Sequence, residues 1–450
     1  MKQTITTKQL WATGLMLFAL FLGAGNIIFP PYLGQQAGEN LFCAVCGFLV
    51  TGVGLPLLAV IAVGRTGTLQ TIAGRVHPSF GAVFTIIVYM AIGPFFGIPR
   101  TATVTYEVGV LPFLSENASG SGLALFITSV LFFGITAWLA LNPGKLIDRI
   151  GKIITPVLLI VLIVLVGKNV FYPIGPILSG TLDYAGTATS FFNGFMEGYL
   201  TMDTIGGLVF GTVVISSIRN LGIENKADIT KVVSKAGIIA AIGLILVYIP
   251  LTYIGATSVT EIGMLDNGGA ILAASAKYLY GFFGIVVLAF AITLACLTTS
   301  VGLISACSEF FAEYIPALSY KKIVCLLAIF STCVANVGLS ALISISLPIL
   351  NFLYPIAITL IILTFCEKSF NRSPFVYIGA VTAAGIISLF EAIASFGIGG
   401  AASDLVAMIP FAEYGISWFI PALIGGLIGY FTTLLAGAKE KADPFDLDLD

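Results

Sequence analysis

The sequence predicts an all-α integral membrane protein of about twelve transmembrane helices, and three observations predict it. Hydrophobic residues fill 58% of the 450 positions and charged residues only 9%, against roughly 25% charged in soluble proteins. So few charges cannot make a water-facing surface. Mean hydropathy is +1.06, and the 50 glycines suit helices that approach closely in lipid. Length gives the count: a span needs about 20 apolar residues to cross roughly 30 Å of hydrocarbon. A soluble enzyme, a secreted disulfide scaffold and a disordered chain are excluded, and a net charge of -2 argues against nucleic acid as a partner.

Apolar runs between charges and turn residues give twelve segments: 10–34, 40–63, 79–98, 122–141, 151–167, 190–215, 236–256, 279–305, 322–338, 341–365, 374–395 and 415–437. The first reads as a span and not a cleavable signal peptide, because its run is long and ends in Phe29-Pro30-Pro31 without a small-residue cleavage site. The second carries Cys43 and Cys46, read as packing residues because no second Cys/His pair accompanies them. The third is preceded by His77, the single histidine, read as a loop residue. Arg100 and Glu107 lie near its outer end, and two readings of Arg100 stay open: an outer gate closing on an acid such as Asp203, or an interfacial anchor of the helix end.

Basic residues set the orientation, since Lys and Arg near span ends stay in the cytoplasm. With the N-terminus inside, 17 of the 20 basic residues fall on the cytoplasmic side, and only Arg100, Lys168 and Lys277 fall outside. The expectation is a multi-pass protein of a bacterial cell membrane with both termini cytoplasmic. Its acidic tail, 438–450, reads as a solvated end.

Two spans are interrupted. In the first, Gly23-Ala24-Gly25-Asn26 places poor helix formers near mid-membrane depth. Either they form a small-residue packing face, or the helix unwinds and frees backbone groups for a ligand, which lipid permits only at a protein-lined cavity. In the sixth, Glu197, Tyr199, Thr201, Asp203 and Thr204 sit where an ordinary span is apolar. An ionisable group at that depth costs at least about 2.5 kcal/mol, so it should face a cavity, a partner or an ion. The interruptions lie five spans apart, the spacing of two inverted five-helix repeats with a ligand site between them. The repeats would be about 10–167 and 190–365, followed by two extra helices in 374–437, all in one domain.

The motifs Gly23-Ala24-Gly25-Asn26-Ile27-Ile28-Phe29-Pro30-Pro31, Ile92-Gly93-Pro94-Phe95-Phe96-Gly97-Ile98-Pro99-Arg100-Thr101-Ala102 and Thr201-Met202-Asp203-Thr204 together resemble the bacterial branched-chain amino acid:cation symporters, the BrnQ-type carriers. The resemblance covers essentially the whole chain. It implies a LeuT-like fold, with a five-plus-five inverted repeat and two extra helices, and sodium-coupled uptake of leucine, isoleucine and valine across the lipid bilayer. Ala295-Cys296-Leu297-Thr298-Thr299-Ser300 resembles the sodium-holding stretch of such symporters. Carried over, the metal ligands would be the carbonyls of Ala19, Leu22 and Ala295 and the hydroxyls of Thr298 and Thr299; the alternative is that these hydroxyls bond back to their own helix.

A zwitterionic substrate needs an anion site, a cation site and a dry pocket. Substrate-binding candidates are Gly23, Ala24, Gly25 and Asn26 in the first break and Gly198, Tyr199 and Thr201 in the sixth segment, with Tyr89 or Phe95 and residues of the eighth segment as further pocket walls. Amides after Gly25 suit a carboxylate, and carbonyls near Leu22–Gly23 and Gly198–Thr201 suit an ammonium. Glu197, Asp203 and Arg100 are the gate or proton-coupling candidates. No cofactor beyond the coupling ion and no catalytic residue is expected. The alternatives are a proton-coupled transporter using Glu197 or Asp203, a channel, and a membrane enzyme, which the single His and missing metal spacing disfavour.

Overall fold

The computed structural model describes residues 5–115, 122–141, 155–396 and 400–436. The start of the fifth segment, the basic residues Lys2, Lys145, Arg149, Lys152, Lys439 and Lys441, and the acidic tail lie outside the described residues. Among the described residues the regular structure is helical, and the only strand-like contact is an isolated bridge between Gly38 and Ser179.

The first segment is two helices, α1 (Thr7–Phe21) and α2 (Ala24–Ala37), bent by 66°. A capping box opens α1: Gln9 N donates to Thr6 Oγ1 (3.3 Å), and Thr6 N donates to Gln9 Oε1 (2.9 Å). Helix α3 (Leu41–Thr66) is continuous through a π-turn at Val50–Gly54. A short α4 (Leu69–Gly74) follows, and His77 then caps α5 (Pro78–Met90), its Nδ1 accepting from Ser79 N (3.2 Å). The sequence ended the third segment at 98, but the chain kinks at Gly93-Pro94 and continues as α6 (Gly97–Gly109). Arg100 interrupts the hydropathy without leaving the fold, because its charge is taken into the protein interior.

Helices α7 (Gly122–Ala140) and α8 (Thr155–Phe171) fill segments four and five. The sixth splits into α9 (Thr187–Tyr199) and α10 (Asp203–Asn220), bent by 42° where Met202 takes a left-handed conformation (φ 65°). Helix α11 (Lys226–Ile262) is capped by Asn225, whose side chain accepts from Ala227 N (2.9 Å) and Asp228 N (3.3 Å). In α12 (Gly268–Tyr314) the axis breaks at Gly281, whose φ of +64° and ψ of -150° suit a residue without Cβ. The remaining helices are α13 (Tyr320–Ala335), α14 (Leu339–Cys366), α15 (Pro374–Ser395), a short α16 (Gly400–Ala407) and α17 (Phe419–Leu435).

Seven of the described helices are long and apolar enough to cross a membrane, or nine if each bent pair is one span. The periphery carries the apolar pattern of a lipid-facing surface: Trp138, Leu246, Phe282 and Phe431 are each more than 60% exposed. Polar groups are turned inward. Helical Ser and Thr there bond back to their own turn, as Thr136 Oγ1 does to the Phe132 carbonyl (2.8 Å). Cys43 and Cys46 are free and partly buried, and no group of three or more His, Cys, Asp or Glu among the described residues could hold a metal ion.

Candidate functional site

The first break exists because the chain leaves the helix at two consecutive positions. Leu22 turns out at ψ 78° and Gly23 is extended (φ -111°, ψ -163°). Gly23 N, the amide that would continue the ladder to the Ala19 carbonyl, donates instead to the Phe21 carbonyl (2.6 Å) and to Asn26 Oδ1 (3.2 Å). Asn26 thus caps α2 from within and leaves its amide nitrogen free for a tertiary role. That nitrogen donates to Asp203 Oδ2 and to the Tyr248 hydroxyl, and the Tyr248 hydroxyl donates to the same Asp203 Oδ2 (3.1 Å). All three residues are buried.

The second break ends α9 in a tight turn, with Leu200, Thr201 and Met202 amides donating to the Glu197, Gly198 and Tyr199 carbonyls (3.0–3.3 Å). The Leu200 carbonyl, stranded by the break, accepts from Arg100 Nη1. The guanidinium also reaches Ser346 Oγ on α14 (3.4 Å) and lies 5.3 Å from the Phe29 ring centre. Arg100 is only 2% exposed. The interfacial-anchor reading is therefore corrected: the kink at Gly93-Pro94 carries α6 inward and sets Arg100 against both breaks. Glu107 sits one end away, where its Cβ faces Gly269 at the start of α12.

Both breaks open on one cavity of about 40 Å³, room for about two or three waters. Of the sequence candidates, Gly23, Ala24, Gly25, Asn26, Thr201, Arg100, Asp203 and Thr299 line it. Gly198 packs on Thr51 instead, and Tyr199 stacks on Tyr354 (4.2 Å between centres) away from the cavity. Tyr89 stacks on Phe310 (3.9 Å), while Phe95 faces outward onto Phe330 (5.3 Å). Glu197 stays outside the cavity, its Oε2 buried without a partner. The sequence reading missed Ile92, Gly97 and Phe210 as walls; the first two belong to the quoted third-segment motif, and Phe210 carried no signal beyond apolarity.

The hydroxyl pair of α12 splits. Thr298 Oγ1 donates to the Ala295 carbonyl (2.7 Å), the helical back-bond. Thr299 Oγ1 is buried without a protein partner, and it faces Gly23 so closely that a Cβ there would lie 2.9 Å from it. A second cavity of about 530 Å³, which also borders α10 and α12, is lined by Tyr89, Thr212, Ser216, Glu309 and Glu313.

Two discontinuous helices whose breaks face a shared cavity define a secondary transporter of the broken-helix class. The chain belongs to the branched-chain amino acid transport protein family, whose model matches residues 6–436. It is 45% identical to the branched-chain amino acid permease BraB of Bacillus subtilis, over 98% of this chain and 99% of that one. It is 47% identical to BrnQ of the same organism (96% and 99% covered) and 39% identical to BrnQ of Escherichia coli K12 (98% and 99% covered). These relatives are permeases and not enzymes. Among solved structures the chain is similar to Mhp1, a nucleobase-cation-symport-1 family transporter, in a closed conformation with bromovinylhydantoin bound. There the TM-score is 0.62 at 12% identity, over 96% of this chain and 94% of that one. The inward-facing conformation of Mhp1 gives a TM-score of 0.61 at 13% identity, over 94% and 91%. This likeness establishes the LeuT-like fold.

Proposed function

We propose that the protein imports leucine, isoleucine and valine into a bacterial cell by sodium symport through alternating access. The permease family supports the substrate class. Since one methylene changes binding by only about 1–3 kcal/mol, the three side chains should compete for one apolar pocket. The observation that carries sodium coupling is Thr299. Its hydroxyl is buried and unpartnered beside the first break, where the donor to the Ala19 carbonyl has been diverted. A hard monovalent cation replaces its hydration shell with neutral oxygens of this kind. The ligand set is the carbonyls of Ala19, Leu22 and Ala295 with the hydroxyls of Thr298 and Thr299.

The architecture behind this reading is twelve crossings with cytoplasmic termini, in repeats of about 10–167 and 190–365 followed by two helices in 374–437. Reciprocal packing supports the repeat: α2 lies along α11, the helix after the second break, and α10 lies along α3, the helix after the first. The 530 Å³ cavity is flanked by Thr68 and Gln70, between the cytoplasmic Arg65 and Arg75, and serves as the inner route.

A proton-coupled mechanism is the second reading, favoured by one observation: Asp203 is a buried carboxylate on the cavity. Uptake of labelled leucine into proteoliposomes under a sodium gradient at fixed pH decides. The expected result is concentrative uptake with sodium alone. Uptake driven by a pH gradient in sodium-free buffer, and lost in Asp203→Asn, would establish the second reading instead.

A further inference from the structure

Two charged side chains of opposite sign line the central cavity without touching each other. Arg100 and Asp203 form no ion pair within 4.0 Å, and among the described residues no carboxylate pairs with the guanidinium. Arg100 Nη1 and Nη2 reach a carbonyl and a hydroxyl, but its buried Nε has no partner. Asp203 receives Asn26 and Tyr248 on Oδ2 alone. A buried guanidinium satisfied only by neutral acceptors bears a desolvation penalty that a second charge would offset. The opposite charge that the described residues supply is Asp203, which acts on the guanidinium from beyond ion-pair distance, and both groups line the cavity.

We infer that Arg100 and Asp203 are the two poles of the substrate site: the guanidinium takes the α-carboxylate of the amino acid, and the aspartate takes its α-ammonium. The inference rests on the proposed amino acid transport and names the side chains that read its zwitterion. The amino end of α2 converges on the same anion position, since a Cβ on Gly25 would lie 3.3 Å from Arg100 Nη1. The ammonium thus goes to a side chain in place of the carbonyls near Leu22–Gly23 and Gly198–Thr201 that the sequence suggested; in the second set those of Gly198, Tyr199 and Leu200 already accept hydrogen bonds. A fork-shaped donor at one end and a carboxylate at the other exclude monopolar analogues, because either one leaves a buried charge unmatched. The cavity accommodates the polar head, and the aliphatic side chain enters when the helices part.

The test is equilibrium binding of L-leucine, L-leucinol (no carboxylate) and 4-methylpentanoate (no ammonium) to the purified full-length protein and its variants. Wild type should prefer leucine to either analogue. In Arg100→Met, leucine should weaken about 10- to 100-fold while leucinol is unchanged within about threefold. In Asp203→Asn the complementary pattern is expected, with leucine weakened and 4-methylpentanoate unchanged. Arg100→Lys, which keeps the charge without the fork, should recover part of the preference. Equal weakening of leucine and leucinol in Arg100→Met would reduce the residue to a structural support and overturn the inference. If the Met variant does not fold, the wild-type comparison still decides: leucinol binding as tightly as leucine overturns it. A wild type that binds none of the three fails the proposed function instead.

Discussion

Replacing Thr299 by Val separates stability from ion binding, because the two effects have opposite signs. The hydroxyl is 8% exposed and has no protein partner. Leaving a buried hydroxyl unsatisfied costs about 1–3 kcal/mol, and Val has nearly the same shape. Sodium-free Thr299→Val should therefore be as stable as wild type or more so, by up to about 1 kcal/mol. With sodium the order reverses. An oxygen facing a bare cation contributes about 1.5–3 kcal/mol, on the scale of a hydrogen bond to a charged group, so sodium affinity should drop about 10- to 150-fold. By linkage, stabilisation by ligand at 100 times its Kd is about 2.7 kcal/mol; a roughly 50-fold weaker Kd removes most of it. The assay is thermal unfolding in detergent across a sodium titration, beside the sodium dependence of leucine uptake. Thr298→Val, whose hydroxyl already bonds the Ala295 carbonyl, should show a similar loss of sodium affinity without the gain in sodium-free stability. Unchanged sodium half-saturation in Thr299→Val would refute the assignment of that ligand.

Three further outcomes are expected. Gly23→Ala sets a Cβ 2.9 Å from Thr299 Oγ1 and Cγ2, so it should cost about 1–3 kcal/mol by overpacking and raise the sodium half-saturation without abolishing leucine binding, read by the same melting and uptake assays. Arg75 pairs with Glu367, with the two side chains 12% and 14% exposed, and donates to the Tyr377 hydroxyl (2.9 Å). Glu367 also pairs with Arg372 Nε (3.5 Å), and Glu367→Gln, which keeps an acceptor oxygen but loses the charge, should destabilise by about 1–3 kcal/mol, seen as a lower Tm with sodium affinity retained. Because Cys43 and Cys46 are free packing residues, the double Ala variant should transport at close to the wild-type rate and be insensitive to chelators; chelator-sensitive uptake in wild type would contradict that reading.

Much of the fold was legible because lipid enforces simple rules on a sequence. The bends at Gly23 and Met202 fall within the two stretches whose composition broke the apolar pattern, since glycine, Asn and acids at that depth are costly in an unbroken helix facing lipid. The cavity was half legible. Residues at the breaks themselves, such as Gly25, Asn26 and Thr201, could be read from backbone logic, but Gly198 and Tyr199 lie one turn too early on α9. A register error of one turn is invisible without the packing partner, here Thr51 for Gly198 and Tyr354 for Tyr199. Arg100 was misplaced for a different reason. Hydropathy treats a charge as the end of a span, whereas this one is carried inside, held by a stranded carbonyl and an aromatic face with its Nε left unpartnered. Tyr248 gave no sign at all, because a tyrosine in an apolar helix looks like packing until its hydroxyl finds Asp203.

The bonds among Asn26, Asp203 and Tyr248 make α2, α10 and α11 mechanically one part, while the seam between α1–α2 and α12 at Gly23 and Thr299 is only van der Waals contact. A sodium ion at the proposed site would sit in that seam as a removable fastener between the two parts. On that proposal, loading would pin the two pieces together and emptying would release this line, so the cation gradient would act on transport by setting how often the joint is pinned.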